Sequence, residues 1–329
     1  MLKRNNRTTS NHDNQNQPDS GKIAVVSTRG LGKNFGDFSA VRSLTLDIYP
    51  GEIFGFLGPN GAGKTTSIRM ILGLLRPSTG SASVLGIDVQ KNPEAIRPRV
   101  GYMAQRFSLY NDLTVLQNLQ FYGAAYGLEN DRLAERINSA LEMAGLRGRE
   151  RRKTAALAGG WRQRLALGAA ILHQPEIVFL DEPTAGVDPV SRREFWDLLY
   201  ELAAGGVSVF VTTHYMDEAE HCHRLAFIQR GEVIAQGSPG EIKRQAVDGR
   251  VLEVVSENAG NVLKVLEQLW EEGESLEMDL YGASVRIVTP DQRDYRKQVR
   301  TILKKSGVVF SSVEYVEPTL EDVFIASMR

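Results

Sequence analysis

The chain of 329 residues alternates short apolar runs with stretches of helical spacing. The apolar runs predict strands, several of them buried on both faces, at residues 23–26, 41–48, 52–57, 177–180 and 207–212. Apolar positions at helical spacing predict helices at residues 115–126, 131–144, 161–173 and 191–203, and one after Leu57 that carries Ile68, Met70, Ile71 and Leu74. Strands that alternate with helices predict a mostly parallel α/β sheet.

The pattern restarts near residue 245, after the turn formers Gly237, Pro239 and Gly240. Strands and helices are then predicted in the order β-α-β-β-α-β, at residues 251–255, 259–270, 276–280, 284–288, 291–305 and 308–316. This order is typical of a ferredoxin-like, split-βαβ domain. We therefore expect one folded domain over residues 21–245 and a second, accessory or regulatory one over 246–329.

Residues 1–20 are rich in Asn, Gln, Ser and Asp. Such a stretch cannot bury enough apolar surface to offset its ordering entropy, so we expect a disordered tail. Lys3, Arg4 and Arg7 at its start leave contact with lipid or RNA as the alternative.

Composition narrows the class of protein. Hydrophobic residues make up 42% and charged residues 24%, values near globular averages, which excludes wholesale disorder and fibrous architectures. The formal net charge of −1 gives no polycation to drive nucleic-acid binding, so no nucleic-acid partner is expected. The single cysteine, Cys222, excludes an intrachain disulfide and fits a reducing compartment. No secretory signal or membrane-spanning run is found, so we expect a cytoplasmic protein that another subunit takes to the membrane.

Residues 58–65 read Gly-Pro-Asn-Gly-Ala-Gly-Lys-Thr and match G-x-x-x-x-G-K-[ST]. Glycines let backbone N–H groups approach phosphate oxygens closely, Lys64 supplies a charge for the β- and γ-phosphates, and Thr65 supplies a hydroxyl for Mg²⁺. The loop leads into a helix N-terminus, whose dipole favours an anion. The alternative is a glycine turn between strand and helix. We interpret the loop as a nucleoside triphosphate site formed by Gly58, Pro59, Asn60, Gly61, Ala62, Gly63, Lys64, Thr65 and Thr66.

Residues 177–182, Ile-Val-Phe-Leu-Asp-Glu, supply the complementary part of such a site. The predicted strand delivers Asp181 beside the loop, where its carboxylate can hold the Mg²⁺ shell. A second acid next to the first is unusual because like charges repel, and its presence is explained if Glu182 faces the γ-phosphate and polarises the attacking water. The alternative is a pair of solvated acids at the end of a strand.

These motifs, in this order, resemble the ATP-binding subunit of ABC transporters over residues 23–245. The resemblance implies that Phe35 stacks on adenine, that Gln105 contacts Mg²⁺ and a membrane subunit, and that His214 contacts the γ-phosphate. It also implies that Asp188 crosses a dimer interface and that residues of about 107–175 form an inserted helical subdomain. Taken singly, Phe35 could be a packing aromatic, Gln105 a surface amide and His214 a hydrogen-bonded loop residue.

The signature motif departs from the family, which usually has Leu-Ser-Gly-Gly-Gln. Here Leu157, Ala158, Gly159 and Gly160 are followed by Trp161. The glycines and the helix N-terminus can still meet a phosphate, but the serine hydroxyl is absent, and losing one hydrogen bond to a charged group costs roughly 1.5–3 kcal/mol. This loss bears on the hydrolysis rate and not on ATP binding.

Two other polar clusters have open interpretations. A basic run precedes the signature and comprises Arg147, Arg149, Arg151, Arg152 and Lys153. It forms either a solvated face or a contact with a partner or with lipid headgroups. His221 and His223 flank Cys222, which fits a helix surface better than a metal site because no second ligand cluster is visible.

Residues 317–324 and 213–220 are similar to segments of drug-resistance and ABC-2-type exporter ATPases, which implies efflux. We therefore expect an ATP-hydrolysing subunit that works with ATP and Mg²⁺, as a homo- or heterodimer bound to membrane-spanning permease subunits at the inner face of a bacterial membrane. Drugs, lipids or glycans are the expected cargo. The alternatives are a soluble ABC ATPase of translation or DNA repair, and a regulatory ATP-binding module with little turnover.

Overall fold

A computed structural model describes residues 23–105, 109–246, 250–270, 277–289, 291 and 293–326. The predicted tail at residues 1–20 and the first residues of the predicted helical subdomain, 107 and 108, lie outside this set. Within it, no helix is long and apolar enough to cross a membrane.

In the described part of the chain, ten strands form the larger sheet. They are β1 (Val26–Phe35), β2 (Phe38–Ile48), β3 (Ile53–Leu57), β4 (Thr79–Val84), β5 (Ile87–Asp88), β6 (Val100–Met103), β7 (Ile177–Asp181), β8 (Ser208–Thr213), β9 (Arg224–Gln229) and β10 (Glu232–Gly237). They lie in the order β5-β4-β1-β2-β10-β9-β3-β8-β7-β6. Strands β6, β7, β8, β3 and β9 pair in parallel, whereas β1, β2, β4 and β5 pair antiparallel.

A mostly parallel sheet was expected, but only the half formed by β6, β7, β8, β3 and β9 is parallel. Strands β3, β7 and β8 are buried at every position, as parallel strands covered on both faces are. The second half of β2 alternates instead between buried residues such as Leu44 and Leu46 and the exposed Thr45. This alternation is typical of antiparallel strands with one solvated face. The pattern analysis missed β4, β5, β6, β9 and β10, none of which is longer than six residues.

The helices of the described residues flank this sheet and the smaller one. They are α1 (Lys64–Ile71), α2 (Val115–Ala125), α3 (Asn130–Met143), α4 (Gly159–Ala170), α5 (Pro189–Ala204), α6 (Met216–Ala219), α7 (Pro239–Ala246), α8 (Ala259–Leu269), α9 (Arg296–Lys305) and α10 (Leu320–Ala326). Two cores result, because successive residues of a strand point to opposite faces. Ile53 and Leu57 of β3 belong to the core beneath α4 and α5, whereas Phe54 and Phe56 belong to the core shared with α1 and the antiparallel strands.

Several predicted boundaries were wrong. Strand β1 begins at Val26 rather than residue 23 and continues to Phe35. Helix α1 ends at Ile71 because Gly73 adopts φ +69°, a left-handed conformation that closes a helix, so the predicted helical residue Leu74 lies beyond it and is 54% exposed. Helix α4 begins two residues before the predicted start and ends three residues before the predicted end.

The smaller sheet is made of β11 (Val251–Val255), β12 (Glu277–Tyr281), β13 (Ser284–Val288) and β14 (Ser312–Val316). The strands lie in the order β12-β13-β11-β14 and all pair antiparallel. Helices α8 and α9 join them into the order β-α-β-β-α-β, and both pack on the same core. Helix α9 begins at Arg296 rather than residue 291, because the carboxylates of Asp291 and Asp294 accept hydrogen bonds from backbone N–H groups two residues ahead.

Helix α10 connects the two units. Its Leu320 and Val323 are buried in the core of the larger unit, and the Phe324 ring lies 5.8 Å from the Phe227 ring. On its other side, buried Asp322 accepts a hydrogen bond of 2.8 Å from Arg286 of β13. The last described helix thus packs on the larger unit, although the sequence pattern assigns residues 246–329 to a second domain.

The division at residue 245 stays a prediction that a shortened protein tests. We expect residues 21–245 to fold and to bind ATP, because they contain the whole ten-stranded sheet. We also expect a melting temperature roughly 5–15 °C below that of the full chain, because the burial of two apolar side chains of α10 is lost. Circular dichroism melts and an ATP titration measure both.

Two variants of the full chain serve as the matched comparison. Leu320→Ala should lower the melting temperature, whereas Glu321→Ala, at an exposed position of the same helix, should leave it nearly unchanged. Insoluble 21–245 protein without ATP binding would contradict the division, and equal melting of both variants would contradict the role of α10.

Candidate active site

The loop after β3 places backbone amides at the start of α1. Gly63 is the N-cap residue of α1 and has φ +110°, a conformation that other residues resist. A side chain at this position would also meet the Ala40 carbonyl oxygen at 2.7 Å. The local sequence therefore dictates both the tight loop and the exposed helix N-terminus, which attracts an anion.

Lys64 is nearly buried and its ammonium group is fully engaged. Its Nζ donates to the carbonyl oxygens of Gly58 at 2.7 Å and Pro59 at 3.2 Å, and lies 3.0 Å from Glu182 Oε1. The lysine and glutamate side chains are 4% and 8% exposed. Buried charges of opposite sign require each other, because either one alone would carry a large desolvation penalty. A phosphate that enters this loop therefore competes with Glu182 for the ammonium group.

The two acids at the end of β7 have different surroundings. Asp181 is 1% exposed, and its Oδ1 accepts a hydrogen bond of 2.9 Å from Thr212 Oγ1. Its Oδ2 is buried and has no hydrogen-bond partner among the described residues. Carboxylate, hydroxyl and amide oxygens are the ligands that Mg²⁺ prefers. Thr65 and Gln105 line the cleft described below, whereas Asp181 is not among its lining residues. The residues present therefore fit the cation that the sequence predicts.

Glu182 is the point on which the other predicted residues converge. It adopts φ +50°, a conformation rare for a residue with a side chain. Its Oε2 accepts a hydrogen bond of 3.0 Å from Gln105 Nε2 and lies 3.4 Å from His214 Nδ1. The structure thus brings together Lys64, Gln105 and His214, from three separate elements, around one carboxylate.

A cleft of about 410 Å³ opens over this cluster. It is lined by Phe35, Phe38, Ala40, Asn60, Gly61, Gly63, Lys64, Thr65, Thr66, Gln105 and Glu182. Phe35 and Phe38, 50% and 65% exposed, pair across the β1–β2 hairpin and offer ring faces at the mouth. The sequence analysis missed Phe38. The signal was present, since the two aromatics flank a two-residue turn and must lie side by side in a hairpin.

The signature and the predicted interface residue lie elsewhere. Ala158 is the exposed N-cap residue of α4 and its side chain makes no capping hydrogen bond. Asp188 is the N-cap residue of α5. Its carboxylate accepts a hydrogen bond of 2.9 Å from the backbone N–H of Ser191, and this bond lowers the pKa of Asp188. Within the described residues, the lining of the cleft does not include Asp188 or the four signature residues Leu157, Ala158, Gly159 and Gly160.

The basic run and the histidine pair have structural partners. The guanidinium of Arg149 lies 4.2 Å from the centre of the Trp161 ring, and Arg147 donates to Asn138. His223 Nδ1 accepts from the backbone N–H of Ile53, the His221 ring stacks on Trp196, and burial raises the pKa of the Cys222 thiol. No group of three or more candidate metal ligands occurs in the part of the chain that the structure describes.

The chain is similar to known ATP-binding proteins. The family model described as "ABC transporter" matches residues 41–185, and one described as "AAA domain, putative AbiEii toxin, Type IV TA system" matches residues 162–216. Among solved structures, an ATP-binding subunit of an ABC transporter aligns with a TM-score of 0.61 at 28% identity, over 67% of this chain and 92% of that one. A dimeric ATP-binding cassette in a post-hydrolysis state, bound to ADP and Pi, aligns with a TM-score of 0.59 at 27% identity, over 65% of this chain and 98% of that one.

Curated relatives extend the similarity to the second unit. A daunorubicin resistance ATP-binding protein of Streptomyces coeruleorubidus is 35% identical over 92% of this chain and 95% of its own length. The Nod factor export ATP-binding protein I of Cupriavidus metallidurans is 37% identical over 76% of this chain and 83% of its own length. A probable multidrug ABC transporter ATP-binding protein of Escherichia coli is 46% identical over 71% of this chain, but the chain spans only 41% of the length of that relative.

Replacing Lys64 by methionine tests the phosphate site. We expect the affinity for ATP to fall at least about tenfold, because a charged hydrogen bond to phosphate contributes roughly 1.5–3 kcal/mol. Titration with a fluorescent ATP analogue in the absence of Mg²⁺ measures the affinity. Lys91→Met, at an exposed lysine paired with Asp88, is the matched control and should bind like the parent protein. Equal affinities for all three proteins would contradict the assignment of Lys64.

Proposed function

The chain belongs to the ABC transporter family of ATP-binding proteins, and on that premise we propose that it hydrolyses ATP to power an exporter. One observation carries this proposal: Lys64, Gln105 and His214 all converge on Glu182 at the rim of a phosphate-binding loop. A site that only held a nucleotide would not need a carboxylate there, because a negative charge facing the γ-phosphate weakens binding.

Nucleotide binding follows from the loop and the hairpin. The backbone N–H groups of residues 60–66 and the Lys64 ammonium hold the phosphates, and Lys64 exchanges its contact with Glu182 for one with a phosphate oxygen. Phe35 offers a ring face for the adenine. Thr65, Asp181 and Gln105 would hold Mg²⁺, which neutralises phosphate charge when bound.

Hydrolysis depends on the carboxylate released by Lys64. Glu182 then accepts a hydrogen bond from the attacking water and increases its nucleophilicity. His214, which lies beside Glu182, donates a hydrogen bond to the γ-phosphate and stabilises the negative charge on it as the bond breaks. Gln105, through its hydrogen bond to Glu182, keeps that carboxylate oriented between the water and His214.

A second copy or a related subunit completes the site. The residues of the signature and Asp188 do not line the cleft within the described chain, and Ala158 is exposed at the N-terminus of α4. In a head-to-tail dimer, the amides at the start of α4 would reach the γ-phosphate bound to the partner. ATP would thereby join two subunits, and hydrolysis would release them.

We assign an export role because similar chains carry export and drug-resistance names. The subunit would act at the inner face of a bacterial membrane, attached to membrane-spanning permease subunits through the groove near Gln105, with residues of about 107–175 as the inserted helical subdomain. Drugs, lipids or glycans are the proposed cargo. The unit formed by β11–β14 would be a ferredoxin-like accessory domain, since its order of elements and strands is that of a split βαβ fold. The one competing function, a regulatory module with little turnover, is favoured only by Ala158.

Glu182→Gln tests the catalytic carboxylate. The amide keeps the size of the side chain but cannot accept a proton, so we expect turnover to fall at least about a hundredfold while ATP still binds. An ATP-bound dimer should then accumulate on gel filtration. Glu176→Gln, at a half-exposed acid just before the same strand, is the matched control. Unchanged turnover in Glu182→Gln would contradict the role of Glu182.

Ala158→Ser tests the departure in the signature. The added hydroxyl can serve a phosphate oxygen across the dimer, where it stabilises the transition state more than the ground state, so hydrolysis should rise by at most about tenfold. ATP affinity of the monomer should not change. Ala156→Ser, at an exposed position two residues earlier, is the control. If the two serine variants hydrolyse ATP equally fast, Gly159, Gly160 and the helix dipole already suffice.

A further inference from the structure

The side chain of Arg192 lies between two segments that reach the active site. It belongs to the first turns of α5 and is only 16% exposed. Its Cζ lies 4.0 Å from the centre of the Tyr215 ring, and its Nη1 donates to Asp217 at 3.3 Å. Its Nη2 donates to the Val187 carbonyl at 3.4 Å. One guanidinium group therefore contacts both the loop before α5 and the segment that follows His214.

A buried acid adds a second link between these segments. Glu218 is 1% exposed, and its Oε1 lies 3.5 Å from Arg192 Nε. The same oxygen accepts a hydrogen bond from the hydroxyl of Thr184, two residues after Glu182. The carboxylate thus ties Arg192 to the loop that begins at the catalytic glutamate.

The Tyr215 ring carries the contact onward to the active site. It lies 4.2 Å from the His214 ring at an interplanar angle of 35°. The other side of that histidine faces Glu182, with Nδ1 3.4 Å from Oε2. Four side chains in van der Waals or polar contact therefore run from Arg192 through Tyr215 and His214 to Glu182.

This arrangement has a mechanical consequence. Asp188 and Arg192 both lie at the N-terminus of α5, so a displacement of the loop over residues 182–188 moves the guanidinium group with it. The cation and the partly buried ring attract each other, so the Tyr215 ring follows the guanidinium group. Since His214 packs on that ring, its imidazole changes position relative to Glu182.

We propose that Arg192 is a positioning residue that couples the loop over residues 182–188 to His214 through the face of the Tyr215 ring. It does not touch the nucleotide. It makes the geometry of Glu182 and His214 depend on a loop that, by the proposed function, meets the partner subunit. The inference rests on that function for its effect on rate, but the packing of His214 can be tested without it.

Steady-state kinetics of variants test the coupling. Tyr215→Leu removes the ring and keeps the pair between Arg192 and Glu218, so we expect kcat to fall up to about tenfold with little change in KM, as the loss of a partly buried cation–π contact allows. Tyr215→Phe keeps the ring and should retain nearly full kcat. Arg192→Lys keeps the charge without the planar fork and should resemble Tyr215→Leu. Arg193→Lys, at an exposed position of the same helix, is the control.

Two measurements separate positioning from a loss of stability. In a His214→Ala background, Tyr215→Leu should cause no further loss of kcat, because its effect passes through His214. The imidazole signals of His214 in NMR spectra of the nucleotide-free protein should shift in Arg192→Lys, but not in Arg193→Lys. The chain has five histidines, so the missing signal in His214→Ala assigns the resonance.

Each result decides between the possibilities. Equal losses of kcat from Tyr215→Leu in both backgrounds, or unshifted His214 signals in Arg192→Lys, would overturn the coupling. So would equal kcat in Tyr215→Leu and Tyr215→Phe. If the parent protein hydrolyses no ATP, the proposed function fails, and the NMR shifts alone then confirm or overturn the link from Arg192 to His214.

Discussion

The ion pair between Lys64 and Glu182 constrains the rest of the active site. Both side chains are almost buried, so neither charge can lose its partner without a large desolvation penalty. To keep them 3.0 Å apart, the loop after β3 and the end of β7 must meet at one edge of the sheet, with β8 between them. His214, just beyond β8, and Gln105, beyond β6, are thereby brought to the same carboxylate. Nucleotide phosphate is the natural replacement for Glu182, because it offers Lys64 an equivalent negative partner.

The parallel half of the sheet makes this convergence possible. The carboxyl ends of parallel strands lie on one side, and ligands of α/β proteins bind in the crevice outside them. Here β3, β6, β7 and β8 all end toward the cleft. The antiparallel half contributes the β1–β2 hairpin, whose aromatic tip closes the mouth. In the proposed function, the parallel half therefore holds the groups that meet the phosphates, and the more exposed hairpin offers its rings to the base.

Local patterns in the sequence identify the parts of the site that are local in space. The loop at residues 58–65 and the acids at the end of β7 could be found because a glycine-rich turn and a buried strand are properties of a few consecutive residues. Family resemblance added Gln105 and His214, whose approach to Glu182 spans long stretches of chain and has no local signal. The pattern missed Phe38 and β10, since partly exposed residues there give weak alternation, and it missed β9, whose run of four buried residues is too short to identify a strand by itself. The packing of α10 on the larger unit was also missed, because seven residues are too few to show where a helix will pack.

The packing of α10 on the larger unit also affects how the chain folds during its synthesis. Leu320 and Val323 complete a core that contains Ile242, a residue translated roughly 80 positions earlier. At about 5–20 residues per second, the larger unit waits on the order of 4–16 s on the ribosome with that patch uncovered. The β-α-β-β-α-β unit must emerge in that interval, and it can pack its own helices on its sheet before α10 docks. Exposed apolar surface in this window is a natural target for chaperones that bind nascent chains.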